Sequence, residues 1–268
     1  METGLNGVNA AMRKRVHLVL RDIEKRYGVR VLYACESGSR GWGFASPDSD
    51  YDVRFIYVHA PEWYLRVEPQ RDVIELPIDN ELDVCGWEWR KALGLLKGAN
   101  PTLLEWLGSP VVYQQDSETM DVLRALAPEW FSAQKSRWHY FSMARKNFRG
   151  YLQGDEVRLK KYFYVLRPLL AVQWLEAGKG LPPVRFDELV EGTVQDPLLL
   201  NEINELLAIK QNAGEAKYGP RRPLLHDFIK QELAANSDRT PLSGSRKRNA
   251  DELDALLFRT VMGQASNG

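Results

Sequence analysis

The sequence predicts an α/β half built on a small mixed sheet, residues 1–128, followed by an all-α half, residues 129–268. Three observations predict it. Short β-branched and aromatic runs, such as residues 29–35 and 52–58, are confined to the first half. From residue 132 onward apolar residues recur at helical spacing and the strand signals vanish. Pro128 falls between the two regimes.

Each element follows from local chemistry. Met12, Val16, Val19, Leu20, Ile23 and Tyr27 recur on one helical face and Gly28 follows as a C-cap, so a helix is expected over residues 9–27. Residues 29–35 read as a strand, 38–49 as a loop rich in Gly, Ser, Asp and Pro, and 52–58 as a second strand. Residues 73–78 and 82–86 read as two more strands joined by a tight turn at Asp79-Asn80. A helix over 87–97 is capped by Gly98, and the next opens with Asn100 as N-cap and Pro101 at its first position. A short strand at 111–113 and a helix over 117–127 complete this half. The second half reads as helices over 132–152, 155–177, 197–212, 224–235 and 250–262, with Pro168 kinking the second of them. Residues 236–249, which include the basic run Arg246-Lys247-Arg248, read as a linker. No internal repeat is present.

Composition narrows the function. Lys plus Arg and Asp plus Glu both number 36, so the formal net charge is zero. A whole-protein basic field for nucleic acid is absent, and any polynucleotide contact must come from a local patch. The two cysteines, Cys35 and Cys85, have no metal-ligand spacing and lie in apolar strand-like runs, which points to reduced thiols in a cytoplasmic protein. No apolar run approaches a membrane span, and residues 1–9 carry no signal-peptide core.

The chemistry is concentrated between Ser37 and Asp52. A strand runs into Gly38-Ser39, then a loop, then Asp50-Tyr51-Asp52 at the start of the next strand. Side chains two apart on a strand share a face, so Asp50 and Asp52 converge. Asp83, between Leu82 and Val84, joins them if its strand pairs beside theirs. Each pair of such carboxylates about 6 Å apart costs roughly 2–3 kcal/mol at an effective dielectric near 20. A proton or a divalent cation is then needed, and Mg²⁺ suits a shell of few carboxylates completed by water and phosphates. Two such ions can activate a hydroxyl and stabilise a leaving pyrophosphate, while a Gly-Ser turn offers backbone N–H groups to phosphates. The alternating acids of residues 48–52 do not make a calcium loop, because Val53 replaces its glycine and His59 its terminal glutamate.

Gly38-Ser39, ten intervening residues, Asp50-x-Asp52 with an apolar strand, and a later Asp83 between apolar residues resemble the DNA polymerase β nucleotidyltransferase superfamily. The fuller wording, from Gly38-Ser39-Arg40-Gly41-Trp42-Gly43 to Ser49-Asp50-Tyr51-Asp52-Val53-Arg54, is similar to its YcgL/RlaP group. That resemblance implies Asp50, Asp52 and Asp83 as catalytic ligands of Mg²⁺ or Mn²⁺, and Gly38 and Ser39, with Arg40, as triphosphate-binding residues. It implies transfer of a nucleoside monophosphate from an NTP to a hydroxyl, an RNA end as acceptor, and association with an RNA ligase. Relatives often bring a cation and an aromatic from a helical domain to the nucleotide. Lys160, Tyr164 and Arg167, spaced i, i+4, i+7, are the candidates, with Lys161 on a neighbouring face. The nucleotide is then expected in a cleft between the two halves.

Two other functions compete with this one. A transferase of the same kind can modify a small molecule or a protein, and a regulatory module can keep the fold without catalysis. Three carboxylates argue against a pure binder. Arg145 and Arg149 read as a solvated face, and Trp138, Tyr140, Phe141, Tyr162, Phe163 and Trp174 as core aromatics. The four histidines are scattered and make no metal motif.

Overall fold

The computed structural model describes residues 7–79, 81–212, 217–237 and 248–263. They form two compact units. The first takes the described residues of Met1–Gly41, Asp50–Phe131 and Arg246–Gly268, and the second those of Trp42–Ser49 and Ser132–Ser245.

The first unit begins with α1 (Ala10–Tyr27), whose N-cap Asn9 accepts the Met12 N–H at 2.8 Å. Gly28 ends it at φ 60°, a left-handed conformation that glycine adopts without a Cβ penalty, and donates to the Glu24 carbonyl. Then follow β1 (Val29–Glu36), the single turn α2 (Gly38–Gly41), β2 (Tyr51–His59), α3 (Pro61–Tyr64), β3 (Val73–Glu75) and β4 (Leu82–Glu88). Next come α4 (Trp89–Lys97), α5 (Pro101–Leu107), β5 (Val112–Gln115) and α6 (Ser117–Trp130). Asn100 accepts the Leu103 N–H and Asp116 the Thr119 N–H, capping α5 and α6.

The five strands form one sheet in the order β3-β4-β2-β1-β5. β2 and β4 are parallel and the other pairs antiparallel, so the sheet is mixed as expected. Alternation sorts β2. Val53, Phe55 and Tyr57 join Met12, Val16, Leu20 and Ile23 of α1 in one core, while Ile56 and Val58 join α4, α5 and α6 in the other. Both faces are therefore covered.

The second unit contains α7 (Ala133–Tyr151), β6 (Glu156–Arg158), a 3-10 turn (Leu159–Tyr162), α8 (Phe163–Glu176), α9 (Phe186–Thr193), α10 (Pro197–Asn212), β7 (Tyr218–Pro220) and α11 (Pro223–Ser237). α8 is its central helix, with Leu166, Leu169, Leu170, Ala171 and Val172 fully buried. The last helix, α12 (Asp251–Met262), belongs to the first unit, where Leu253, Leu256 and Val261 complete the core of α4–α6.

Several expectations change in detail. The single helix over 155–177 is instead a strand, a 3-10 turn and α8, because Val157 pairs with Gly219 across sixty residues of chain. Nothing local announces such a pairing. Trp87 does not open α4 but lies in β4, paired with Ile56 and stacked on Trp106 at 3.7 Å. α9 was not anticipated. A single cut at 128/129 does not describe the two units, since α12 packs with the sheet and Trp42–Ser49 with the helices. Asn80 of the expected turn, and residues 238–247 of the expected linker, lie outside the described residues. Among the described residues no helix is long and apolar enough to cross a membrane.

A buried hydrogen-bond relay ties the second unit together. The Leu152 carbonyl can only accept, so His226 carries its proton on Nε2, 2.8 Å away. Nδ1 then accepts from the Tyr162 hydroxyl at 2.8 Å, and Tyr162 in turn accepts the Arg222 N–H at 2.9 Å. Burial holds the His226 imidazole below its ordinary range, and the charges of Arg221 and Lys230 add to the effect. The unfolded chain takes up a proton near pH ~6.5 that the native state refuses. This contribution is complete above that pH and is lost as pH falls towards the lower native value. We expect His226→Gln to lower the melting temperature at pH 7.5. The gap to wild type should narrow as calorimetry is repeated down to pH 5, and a gap constant with pH would contradict the neutral-imidazole relay.

Candidate active site

The parallel pairing of β2 with β4 places Tyr51 opposite Leu82, Asp52 opposite Asp83 and Arg54 opposite Cys85. Two carboxylates therefore sit side by side at the start of adjacent strands. Both are partly exposed. By strand alternation they share the face of Ile56 and Val58. The expected meeting of the Asp83 strand with the Asp-x-Asp strand is what the sheet contains.

The charge between them is compensated from within the chain. Arg54 Nη2 donates to Asp52 Oδ1 at 2.9 Å and to Asp83 Oδ2 at 2.7 Å, and Nη1 donates to the Val53 and Asp83 carbonyls at 3.2 Å. Burial works against the Arg54 charge, but the Asp83 hydrogen bond and the two carboxylate fields overcome it and hold the guanidinium firmly charged. Sequence reasoning anticipated the repulsion and assigned a proton or a metal to it. The resident cation was missed. Its signal was present, because Arg54 lies two residues beyond Asp52 and so on the same strand face.

Asp50 immediately precedes β2 with an exposed side chain, and among the described residues no group of three or more His, Cys, Asp or Glu side chains is assembled for a metal. The two in-register carboxylates are nonetheless hard oxygen donors of the kind Mg²⁺ takes one or two at a time, beside phosphate oxygens. The donor set therefore fits such an ion.

The Gly-Ser turn packs against this pair. Gly38 has φ 57°, and a Cβ built on it would lie 1.9 Å from Asp52 Oδ2. Only glycine lets the carboxylate come so close. Ser37 N–H donates to the Asp52 carbonyl at 2.9 Å, and Ser39 is buried in the same turn. Arg40 is built into the loop's return. Its guanidinium donates to the Asp50 carbonyl at 3.3 Å and the Gly7 carbonyl at 3.1 Å, and lies 3.8 Å from the Tyr51 ring centroid.

Glu36 is a second residue that the sequence did not single out. It is fully buried at the end of β1, accepts the Asp52 N–H on Oε1 at 2.8 Å, and accepts the Tyr113 hydroxyl on Oε2. Burial pushes its carboxyl up to about 7, against the pull of the Tyr113 and Asp52 donors. A carboxylate closing an apolar strand just before Ser37-Gly38-Ser39 was the available signal.

The residues expected to reach the nucleotide from the helical half lie in the second unit. Lys160 sits in the 3-10 turn, so the helical spacing that grouped it with Tyr164 and Arg167 does not apply. It is Lys161 whose ammonium lies near Tyr164, 5.0 Å from the ring, and near Tyr151 at 4.0 Å. Tyr164 and Arg167 instead flank Trp42, one edge-on at 5.7 Å and the other 4.6 Å from the ring, and Arg167 donates to the Val184 carbonyl. Phe44, two residues on, stacks on Phe163 at 5.0 Å and meets Phe186 edge-on. The loop between the Gly-Ser turn and the acidic pair is thus embedded in the helical unit's aromatic core.

A Gly-Ser turn pressed on the first of two in-register carboxylates, within a mixed sheet, defines a nucleotidyltransferase of the polymerase β kind. The family comparison agrees. A model described as RNA repair pathway DNA polymerase beta family, RlaP, matches residues 12–259. The uncharacterized protein YcgL of Bacillus subtilis (strain 168) is 47% identical over 251 residues, spanning 93% of this chain and 96% of that protein. A solved nucleotidyltransferase-like protein from Exiguobacterium sibiricum 255-15 aligns with 92% of this chain and 76% of its own at 14% identity, with a TM-score of 0.31. This chain belongs to the RNA repair pathway DNA polymerase beta family and is a nucleotidyltransferase.

Two substitutions test the geometry. Gly38→Ala forces a methyl group onto the Asp52 carboxylate and strains a left-handed backbone, so stability should fall by about 1–3 kcal/mol, with loss of transfer. A fully stable and active variant would show that the close approach is wrong. Arg54→Met leaves two carboxylates facing each other with no cation between them, since both now bond one nitrogen. Denaturant unfolding should show a loss of about 1–3 kcal/mol, partly recovered on adding Mg²⁺. A variant as stable as wild type without metal would rule out Arg54 as the compensating charge.

Proposed function

We propose that this protein transfers a nucleoside monophosphate from an NTP to a hydroxyl at the end of an RNA, with release of pyrophosphate, and that the reaction needs Mg²⁺ or Mn²⁺. The observation that carries the reaction type is the in-register pair Asp52 and Asp83 with Gly38 packed on Asp52. The family's description as an RNA repair pathway supports the acceptor. An RNA ligase is the partner that this reading implies. Cys35 and Cys85 are both free thiols, which suits work in the reducing cytoplasm.

Asp52 and Asp83, with Asp50 beside them in sequence, would hold the cation. When bound, the cation supplies positive charge at the phosphates and lowers the pKa of the attacking hydroxyl. The chain's own residues do the rest. The Gly38-Ser39 turn offers a Cβ-free approach for phosphate oxygens. Asp83 accepts the proton of the incoming hydroxyl as its oxygen bonds to the α-phosphorus and the bond to pyrophosphate breaks. Glu36 fixes the Asp52 backbone N–H and so the start of β2.

The test is mass spectrometry of defined RNA oligonucleotides incubated with each NTP and Mg²⁺ or Mn²⁺. The expected product is an RNA one nucleotide heavier at a terminus. Asp52→Asn should lose roughly 10³-fold in rate, the scale of removing one transition-state electrostatic contact. It should keep its fold, because Arg54 retains Asp83. No mass gain on any RNA, together with labelling of a metabolite or a protein, would replace this acceptor with another.

A further inference from the structure

α7 is the exceptional helix in charge. It has 19 residues and contains no Asp or Glu, whereas every other described helix longer than ten residues carries at least one. Its buried side packs Tyr140, Phe141 and Ala144, and its one buried cation, Arg137, is paired with Glu176 at 2.9 Å. Its outer side is a continuous row. Lys135, Trp138, Ser142, Arg145 and Arg149 recur at steps of three and four and all are exposed, with Lys146 beside them. Among the described residues Arg145, Lys146 and Arg149 make no ion pair. Trp138 is 39% exposed, held edge-on against Phe141 with ring centroids 6.2 Å apart.

The contrast with α1 is instructive. That helix is also rich in Arg and Lys, but Asp22 and Glu24 lie on it, Asp22 pairs with Arg26, and Arg15 is bound by Asp79 and Glu81. Two of its cations are answered by acids within the chain, while Lys14, Arg21 and Lys25 make no ion pair among the described residues. α7 carries no acid at all, presents Arg145, Lys146 and Arg149 outward, and has an indole in the row where the row Lys14, Leu18, Arg21, Lys25 of α1 has a leucine. A row of cations alone suits any polyanion. An exposed indole among them suits a polyanion with flat apolar faces, as in a nucleic acid whose bases are unpaired.

We propose that this face of α7 binds the single-stranded end of an RNA, with Arg145, Lys146 and Arg149 meeting phosphates and Trp138 stacking on a base. The inference rests on the RNA-acceptor reading and adds the surface that holds the acceptor. From Lys135 to Arg149 the helix rises about 21 Å, the length of roughly six stacked nucleotides at ~3.4 Å each. A duplex would bury its base faces and leave Trp138 without a role.

The test is fluorescence anisotropy of a labelled twelve-nucleotide single-stranded RNA with the full chain, repeated across salt concentrations. The triple variant Arg145→Ala, Lys146→Ala, Arg149→Ala should bind at least ~10-fold more weakly at 0.1 M salt. Its slope of log affinity against log salt should shrink by about 2, because three phosphates of a single strand would no longer be neutralised. Trp138→Ala should weaken binding roughly 10-fold with the slope unchanged, and Trp138→Phe should restore most of it. All these side chains are exposed, so melting temperatures should stay near wild type. Wild-type binding with unaltered affinity and slope in the variants would overturn this surface and leave the RNA acceptor standing. A wild type that binds no RNA at any salt, while labelling another acceptor, would overturn both. Equal competition by polyglutamate with no effect of Trp138→Ala would assign the face to an acidic protein instead.

Discussion

The arrangement on which this site depends is one guanidinium shared by two carboxylates. Parallel pairing of β2 with β4 leaves Asp52 and Asp83 no choice but to be neighbours. Two anions about 6 Å apart cost roughly 2–3 kcal/mol at an effective dielectric near 20, a sizeable share of a domain's net stability. Arg54, next on the same strand face, cancels that cost with two bonds from a single nitrogen. The strand that creates the repulsion also carries its remedy. A divalent ion entering the pair would have to compete with Arg54 as well as gain two carboxylates, so its affinity would reflect a difference between two cations.

The shell around the pair is fixed by means other than charge. Glu36 pins the Asp52 amide and is itself held by Tyr113 on β5, so β1 and β5 set where the acidic strand begins. Gly38 closes the other side, where any side chain would collide with the carboxylate. Arg40 ties Asp50 and Gly7 together beneath the loop. The eight residues between are held by the aromatic core of the helical unit through Trp42 and Phe44. Loops that carry function gain precision when they are packed into a rigid scaffold.

Much of this was legible in the sequence, for identifiable reasons. Asn9, Gly28, Asn100 and Pro101 announce helix ends because capping is a contact between residues a few positions apart. The Asp-x-Asp strand and the Asp83 strand were readable because alternation and apolar flanks are local too. The β6–β7 pair was not, since Val157 and Gly219 lie some sixty residues apart in the chain and nothing local to either names the other. For the same reason α12 was assigned to the wrong half, because its apolar stripe says that it packs but not on what. Tyr164 and Arg167 were grouped correctly on one helix, but the Trp42 they flank lies more than a hundred residues away. Arg54 is legible on the same ground, two residues beyond Asp52 and so on the same strand face.

Charge also shows why a chain-wide total is a poor guide to partners. Equal numbers of acids and bases deny this protein a long-range field. At physiological salt, however, a charge acts over only about 8–10 Å, so the sign of each surface region matters more than the sum. The acids are gathered elsewhere. Asp187, Glu188 and Glu191 lie on α9, and Asp251, Glu252 and Asp254 open α12, where the helix dipole favours them. α7 is what remains when the negative charge has been placed on other elements. A polyanion held by such a row meets it through only a few phosphates, too few to dominate affinity, so the exposed indole must supply much of the grip. That division favours a flexible strand end, with bases free to stack, over a rigid duplex.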